Sequence, residues 1–187
     1  MDQRYTRTAM TLHWLIAILL LSQFAFGWYL NDIPRGVPAR GYFVNLHKSS
    51  GMLIAVLIVL RLVWRLSHKP PPLPDTLPLW QQRAAAASHN LLYVLMLLMP
   101  LSGYLGSNFS KHGVNFFNLV KLAPWGPDNK LLYTLFNQTH LISSWLLLAL
   151  VILHVAAALK HLFIDRDTIF SRMLPRRFLF RFRFSSR

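Results

Sequence analysis

The last apolar stretch of the chain, residues 137–164 (NQTHLISSWLLLALVILHVAAALKHLFI), constrains what the rest can fold into. It is long enough to cross a bilayer, which takes about 20 helical residues. It also carries three histidines, His140, His154 and His161. An ionisable side chain inside a bilayer is costly and normally faces a partner or a ligand. His140 and His154 are fourteen residues apart, close to four helical turns. At about 1.5 Å per residue they lie about 21 Å apart on nearly one face. One helix thus offers imidazole at two depths, and the remaining chain must meet it at both.

The remaining chain holds three more runs of this kind. Hydrophobic residues make up 54% of the 187, and they are gathered rather than dispersed. The expected fold is all-α, a four-helix transmembrane bundle in one domain over residues 1–175, with helices at about 9–30, 46–66, 82–106 and 137–164 and a basic tail over 176–187. The first run holds His13 and Trp14 and lacks an A-x-A cleavage pattern, so it reads as a retained helix, with Thr6, Thr8 or Thr11 as its cap. Residues 31–45 read as a Pro/Gly-rich connection and 68–78 as a proline-dense surface strap. Pro100 should kink the third helix. The third connection, 107–136, is expected to hold a short surface helix near 114–122, with Trp125 at the interface.

Composition narrows the chemistry. There is no cysteine, which excludes disulfides, iron–sulfur clusters and covalently attached haem. There is no glutamate, and the six acids are all aspartates. The formal charge of +14 would suit a nucleic-acid binder, but the basic residues flank the apolar runs, as orientation signals and contacts to anionic lipid do. The N-terminal arm, middle loop and tail hold 14 Lys/Arg, counting Arg61, Arg65 and Lys160 at the helix ends, against 6 in the other two connections with Lys48, so both termini are expected in the cytoplasm.

That orientation gives each histidine a depth. His47 and His140 share an outer level; His154 shares an inner one with His13 or His89. Two imidazoles converging at one depth suit axial ligation of a haem iron, which takes ligands from both sides of a flat ring. Gly27 lies fourteen residues after His13, Gly103 fourteen after His89, and Gly51 one turn from His47. Such gaps admit a planar ring, although glycines also mark plain helix contacts. Arg61, fourteen after His47, would face the inner level and pair with a haem propionate. A lone histidine can instead bond a neighbouring backbone, and four could bind zinc or copper, but the vertical spacing favours two separate sites. His68 and His112 fall in loops.

Four stretches in order, RYTRTAMTLHWL, LHKSSGMLIAVLIVLRLVWRL, HNLLYVLMLLMPLSGYL and HLISSWLLLALVILHVAAALKHLFIDRDTIFSRM, resemble the bacterial cytochrome b561 family of four-helix dihaem membrane cytochromes. The resemblance extends to about residue 175 and leaves out RRFLFRFRFSSR. It implies two haems b, an inner one held by His13 and His154 and an outer one by His47 and His140, with His89 as a neighbour. It also implies an inner-membrane location and electron transfer linked to quinone. Some family members resemble a superoxide oxidase that reduces ubiquinone; others are electron-relay subunits of dehydrogenases.

The expected function is therefore transmembrane electron transfer to a quinone, with ubiquinone as the expected substrate and superoxide or a redox partner protein as donor. Trp14, Lys160 and His161 are expected to line the quinone pocket, although Lys160 and His161 would also suit simple snorkelling. Arg35, Arg40, Lys48, Lys111, Lys121 and Lys130 would make the outer face positive enough to steer a small anion. The rivals are a haem-bearing anchor of a separate dehydrogenase and a haem-free, histidine-lined transporter.

Overall fold

In the computed structural model, described over residues 4–74 and 77–174, four long helices carry the chain across and back. They are α1 (Arg7–Asp32), α2 (Pro38–Ser67), α3 (Leu79–Asn108) and α4 (Lys130–Lys160). A hairpin of β1 (Val114–Phe116) and β2 (Val120–Leu122) lies between α3 and α4. α4 runs on into a π-helical turn at His161–Asp165, followed by one 3-10 turn at Phe170–Met173. The tail expected at 176–187 lies outside the described residues.

Capping chemistry explains why the helices overrun the apolar windows. Thr6 accepts the Ala9 N–H at 3.2 Å and starts α1. Asn129 does the same for Leu132 at 3.0 Å, so α4 begins at Lys130 rather than at 137. α2 begins at Pro38, eight residues before the expected start. A proline in the first turn has the φ a helix needs and lacks only an N–H that would go unbonded there. At about 1.5 Å per residue, helices of 26 to 31 residues exceed the hydrocarbon thickness of about 30 Å, so their ends reach the headgroups.

The surface helix expected near 114–122 is instead the antiparallel hairpin, with Val114 opposite Leu122 and Phe116 opposite Val120. Phe117 and Asn118 both have positive φ, 48° and 59°, a combination no right-handed helix contains. α2 holds the hairpin by its polar side chains. Asn45 accepts the Asn115 N–H at 3.1 Å, Ser49 accepts the Phe117 N–H at 2.7 Å, and Lys48 donates to the Gly113 carbonyl at 3.0 Å. At the other end of the bundle the N-terminal arm, the proline strap and the 3-10 turn are laced together. Trp14 donates to the Met173 carbonyl at 2.8 Å, Trp64 to Thr6 at 2.9 Å, and the buried Arg172 to the Pro72 carbonyl at 2.5 Å.

The packing is uneven. α3 runs along α4, α1 along α2, and α2 against α3. The apolar core is thin: Ile16 and Leu20, Ile54 and Ile58, Leu92, Leu95, Met96 and Met99, and Leu147. Larger apolar side chains such as Ile18, Val56, Val94, Trp145 and Leu153 point outward, as they must where lipid is the solvent.

Gly113 tests the hairpin. Its φ is +57°, and an added Cβ would meet the Leu122 carbonyl oxygen at 2.6 Å. Gly113→Ala should destabilise the hairpin by about 1–3 kcal/mol. The expected readout is a lower midpoint for thermal loss of monodisperse protein in detergent; an unchanged midpoint would mean that the turn carries no strain.

Candidate functional site

The histidines gather at two levels, both completed by α4. Towards the hairpin end, His47 of α2 and His140 of α4 have ring centres 6.3 Å apart and planes at 81°. Towards the termini, His13 of α1 and His154 of α4 are 6.2 Å apart at 71°. His89 of α3 reaches the same level, 5.6 Å from His154. The closely packed helix pairs do not include α1 with α4 or α2 with α4. Both histidine pairs therefore bridge helices whose backbones stand apart.

Each ring has a distinct setting. His140 Nδ1 lies 2.7 Å from the Met99 carbonyl, which only accepts, so Nδ1 carries the proton and Nε2 is left bare. That carbonyl also accepts from Ser102 at 2.8 Å. His47 Nδ1 is buried with no hydrogen-bond partner. Glycine opens room for the His140 ring: a Cβ on Gly103 would lie 2.9 Å from His140 Nδ1, whereas one on Gly27 would meet His47 Cε1 at 3.5 Å, an ordinary contact. Gly51 instead faces the Gln23 side chain, whose amide donates to the His47 carbonyl at 2.6 Å and whose oxygen accepts from Ser50 at 3.1 Å.

At the termini level Arg61 donates to the Tyr93 hydroxyl at 2.6 Å and lies 3.3 Å from His13 Nδ1. Arg61 and Arg65 both stand over the Tyr93 ring, and Arg61 Nε is buried without a partner. A clustered pair of guanidiniums with an unfilled donor suits a carboxylate. Trp14 packs edge-on to His13 at 5.4 Å. Lys160 does not stand free: it is ion-paired with Asp165 at 2.5 Å. His161 Nδ1 lies 2.7 Å from an Asp167 oxygen and 3.2 Å from Asp165. Trp14 is thus tied to Met173, while Lys160 and His161 are tied to the two aspartates.

The hairpin end holds a cavity of about 700 Å³ lined by Arg35, Arg40, His112, Tyr133, Asn137 and Gln138 among others. Asn137 is one turn before His140 on α4. Arg40 is fixed by donating to the Leu30 and Ile33 carbonyls at the end of α1. Two of the other expected cations are engaged elsewhere: Lys111 pairs with Asp128 at 3.5 Å, and Lys48 holds the hairpin.

The family model for prokaryotic cytochrome b561 matches residues 4–176. The chain belongs to that family. Cytochrome b561 homolog 2 of Escherichia coli K12 is 32% identical over 173 residues, covering 92% of each chain. Cytochrome b561 homolog 1 of the same organism is 28% identical over 185 residues, covering 93% of this chain and 98% of its own. A probable superoxide oxidase, CybB, of Yersinia pestis is 25% identical over 181 residues, covering 95% and 99%. The protein is thus a multi-pass inner-membrane cytochrome of the b type, a haem b binder in membrane electron transfer.

The residues fit that group. Metal–nitrogen bonds of about 2 Å, with about 1.1 Å from nitrogen to ring centre, set two axial imidazoles about 6.2 Å apart. His13–His154 at 6.2 Å and His47–His140 at 6.3 Å have that spacing; His89–His154, at 5.6 Å, is tighter. Reading the sequence missed the groups that set these rings: Gln23, Tyr93, the Met99 carbonyl, and the aspartates beside His161. Two signals were present. Tyr93 lies four residues after His89, and Asp165 and Asp167 are two of only six acids.

Gly103→Ala should push on His140, lowering haem occupancy or shifting the reduced absorption band. Gly41→Ala, where a Cβ meets nothing within 4 Å, is the control. Identical spectra and haem content in the two variants would remove Gly103 from the site.

Proposed function

We propose that the chain conducts electrons across the inner membrane through two haems b and delivers them to a quinone, ubiquinone being the substrate that the family resemblance implies. The reading treats residues 1–175 as one cytochrome unit with the termini in the cytoplasm and 176–187 as a basic tail on that side. His13 and His154 would hold the inner haem, and His47 and His140 the outer. The observation that carries this reading is the pair of imidazole approaches at 6.2 and 6.3 Å, both made from α4. When bound, the haems supply one-electron redox centres at two depths.

The protein's own groups do the rest. The Met99 carbonyl holds His140 with Nε2 presented, and Gly103 leaves room beside its ring. Arg61, steadied by Tyr93, neutralises a propionate at the inner level. His89 adjoins His154 as a neighbour rather than a ligand. Trp14, Lys160 and His161 border the quinone site at the cytoplasmic end. Arg35 and Arg40 give the outer cavity a positive field that draws a small anion towards His140. Superoxide is the donor that this field and the named activity of the Yersinia pestis relative support. Two superoxide ions would release two dioxygen molecules and two electrons, and the quinone would take these with two protons.

The test uses the purified protein alone. Haem analysis should give about two haems per chain, and superoxide should drive ubiquinone reduction. His47→Ala or His140→Ala should leave about one haem; retention of both sinks the outer assignment. Absence of any b-type spectrum in haem-replete cells would favour the transporter. Inactivity with superoxide, together with a co-purifying dehydrogenase, would favour the relay subunit.

Arg35→Gln should slow haem reduction by superoxide severalfold and flatten its dependence on ionic strength, because steering by charge is screened by salt. An unchanged rate and salt profile would leave the cavity without a role in donor capture.

A further inference from the structure

The end of α4 holds a cluster that haem binding does not use. Helix geometry widens at His161–Asp165 into a π turn, and Arg166 then takes a left-handed conformation, φ 52°. The chain doubles back, so that the Asp167 N–H donates to the His161 carbonyl at 3.2 Å. The Asp167 carboxylate is then held on both sides. One oxygen accepts the Ile169 N–H at 2.9 Å and the other lies 2.7 Å from His161 Nδ1. An ionised carboxylate only accepts, so the imidazole proton sits on Nδ1 and Nε2 is presented. Lys160 engages both oxygens of Asp165, at 2.8 and 2.5 Å, and balances the second negative charge. The His161 side chain is 18% exposed, open to a ligand yet shielded from bulk water.

We propose that Asp167 is a positioning residue that makes His161 the proton donor to the bound quinone, an inference that rests on the quinone reading above. A His–Asp–Asp set also resembles a metal site, but the Lys160 ammonium already occupies the Asp165 carboxylate, and a divalent ion would have to displace it. Two electrons reach the quinone one at a time from the outer donor, and each is matched by one proton. An O–H bond forms at a quinone carbonyl oxygen as the Nε2–H bond of protonated His161 breaks. The imidazole returns to its neutral form with Nδ1–H still on Asp167, and cytoplasmic water reprotonates Nε2 for the second transfer. Asp167 stays ionised throughout, orienting the ring and stabilising its cationic form, the role a carboxylate takes behind a catalytic histidine. Among the described residues Asp165 also faces the ring and carries Lys160 with it, while Arg166 donates to the Phe163 carbonyl and Arg172 to the Pro72 carbonyl.

The test compares haem-loaded wild type and Asp167→Asn. Asparagine keeps an oxygen for the Ile169 N–H but turns an amide donor towards Nδ1, which forces the wrong tautomer. Quinone reduction should lose about 100-fold in kcat, the scale of a general acid, with KM little changed. The rate should fall off at lower pH than in wild type, and Asp167→Glu should restore part of it. Reoxidation by ferricyanide, an acceptor that takes no proton, supplies the contrast: both forms should react alike. If wild type itself fails to reduce quinone, the quinone reading falls. If wild type succeeds and Asp167→Asn matches its kcat and pH profile, or raises KM alone, the proton-donor proposal is overturned and the quinone reading stands. If Asp167→Asn assembles no haem, wild type decides: turnover independent of pH over about 5 to 9, where a histidine changes charge, with no slowing in deuterated water, also overturns it.

Discussion

Imidazole in hydrocarbon is the constraint on which this bundle turns. α4 carries His140 and His154 at depths where an unsatisfied polar group costs several kcal/mol, and it buries only Ser143 and Leu147 against its neighbours. A helix so lightly packed is not held by apolar contacts on the side facing α1 and α2. What meets it there is His13 at one level and His47 at the other. Only α3 packs closely along it, and α3 also supplies the Met99 carbonyl that orients His140. The division of labour follows: α3 positions α4, while α1 and α2 complete its sites across a gap.

The transmembrane architecture was legible because its physics is one-dimensional. A bilayer demands about 20 apolar residues per crossing, and four such runs leave little topological choice. The ends were less legible. Residues 38–45 look like loop because they hold proline, glycine and arginine, yet a proline in the first turn starts α2 instead of breaking it. The segment 114–122 reads equally as an apolar surface helix. What makes it a hairpin is tertiary: Asn45, Lys48 and Ser49 on α2 offer partners to its backbone, and the Ser49 hydroxyl holds Phe117 in a conformation that phenylalanine alone disfavours.

The candidate site divides in the same way. Fourteen-residue spacings align residues along a helix, so the two histidine levels, and the glycines that lie beside the outer one, could be read directly. Which histidine joins His154 depends on the rotation of α1 and α3 about it, and no period in one helix contains that. Gln23 and Tyr93 were passed over because a polar residue in an apolar run declares that it has a partner without saying which. The aspartates beside His161 needed a backbone event, the π turn and the left-handed Arg166, to bring residues 165 and 167 back onto residue 161.

The two ends of the bundle then differ in a way the proposed chemistry requires. At the hairpin end the charge is cationic and the cavity is open, with Arg40 locked onto the carbonyls that close α1. Such a surface attracts an anion, and its Asp128 carboxylate is already paired with Lys111. At the termini end Lys160 is balanced by Asp165, and an imidazole is backed by a fixed carboxylate. An electron donor that loses no proton suits the first end, and an acceptor that must gain protons suits the second. Exchanging the two groups would put a proton-donating histidine where only an anion arrives. The direction of electron flow in the proposed function is therefore carried by the side-chain chemistry at the two membrane faces, with α4 as the span between them.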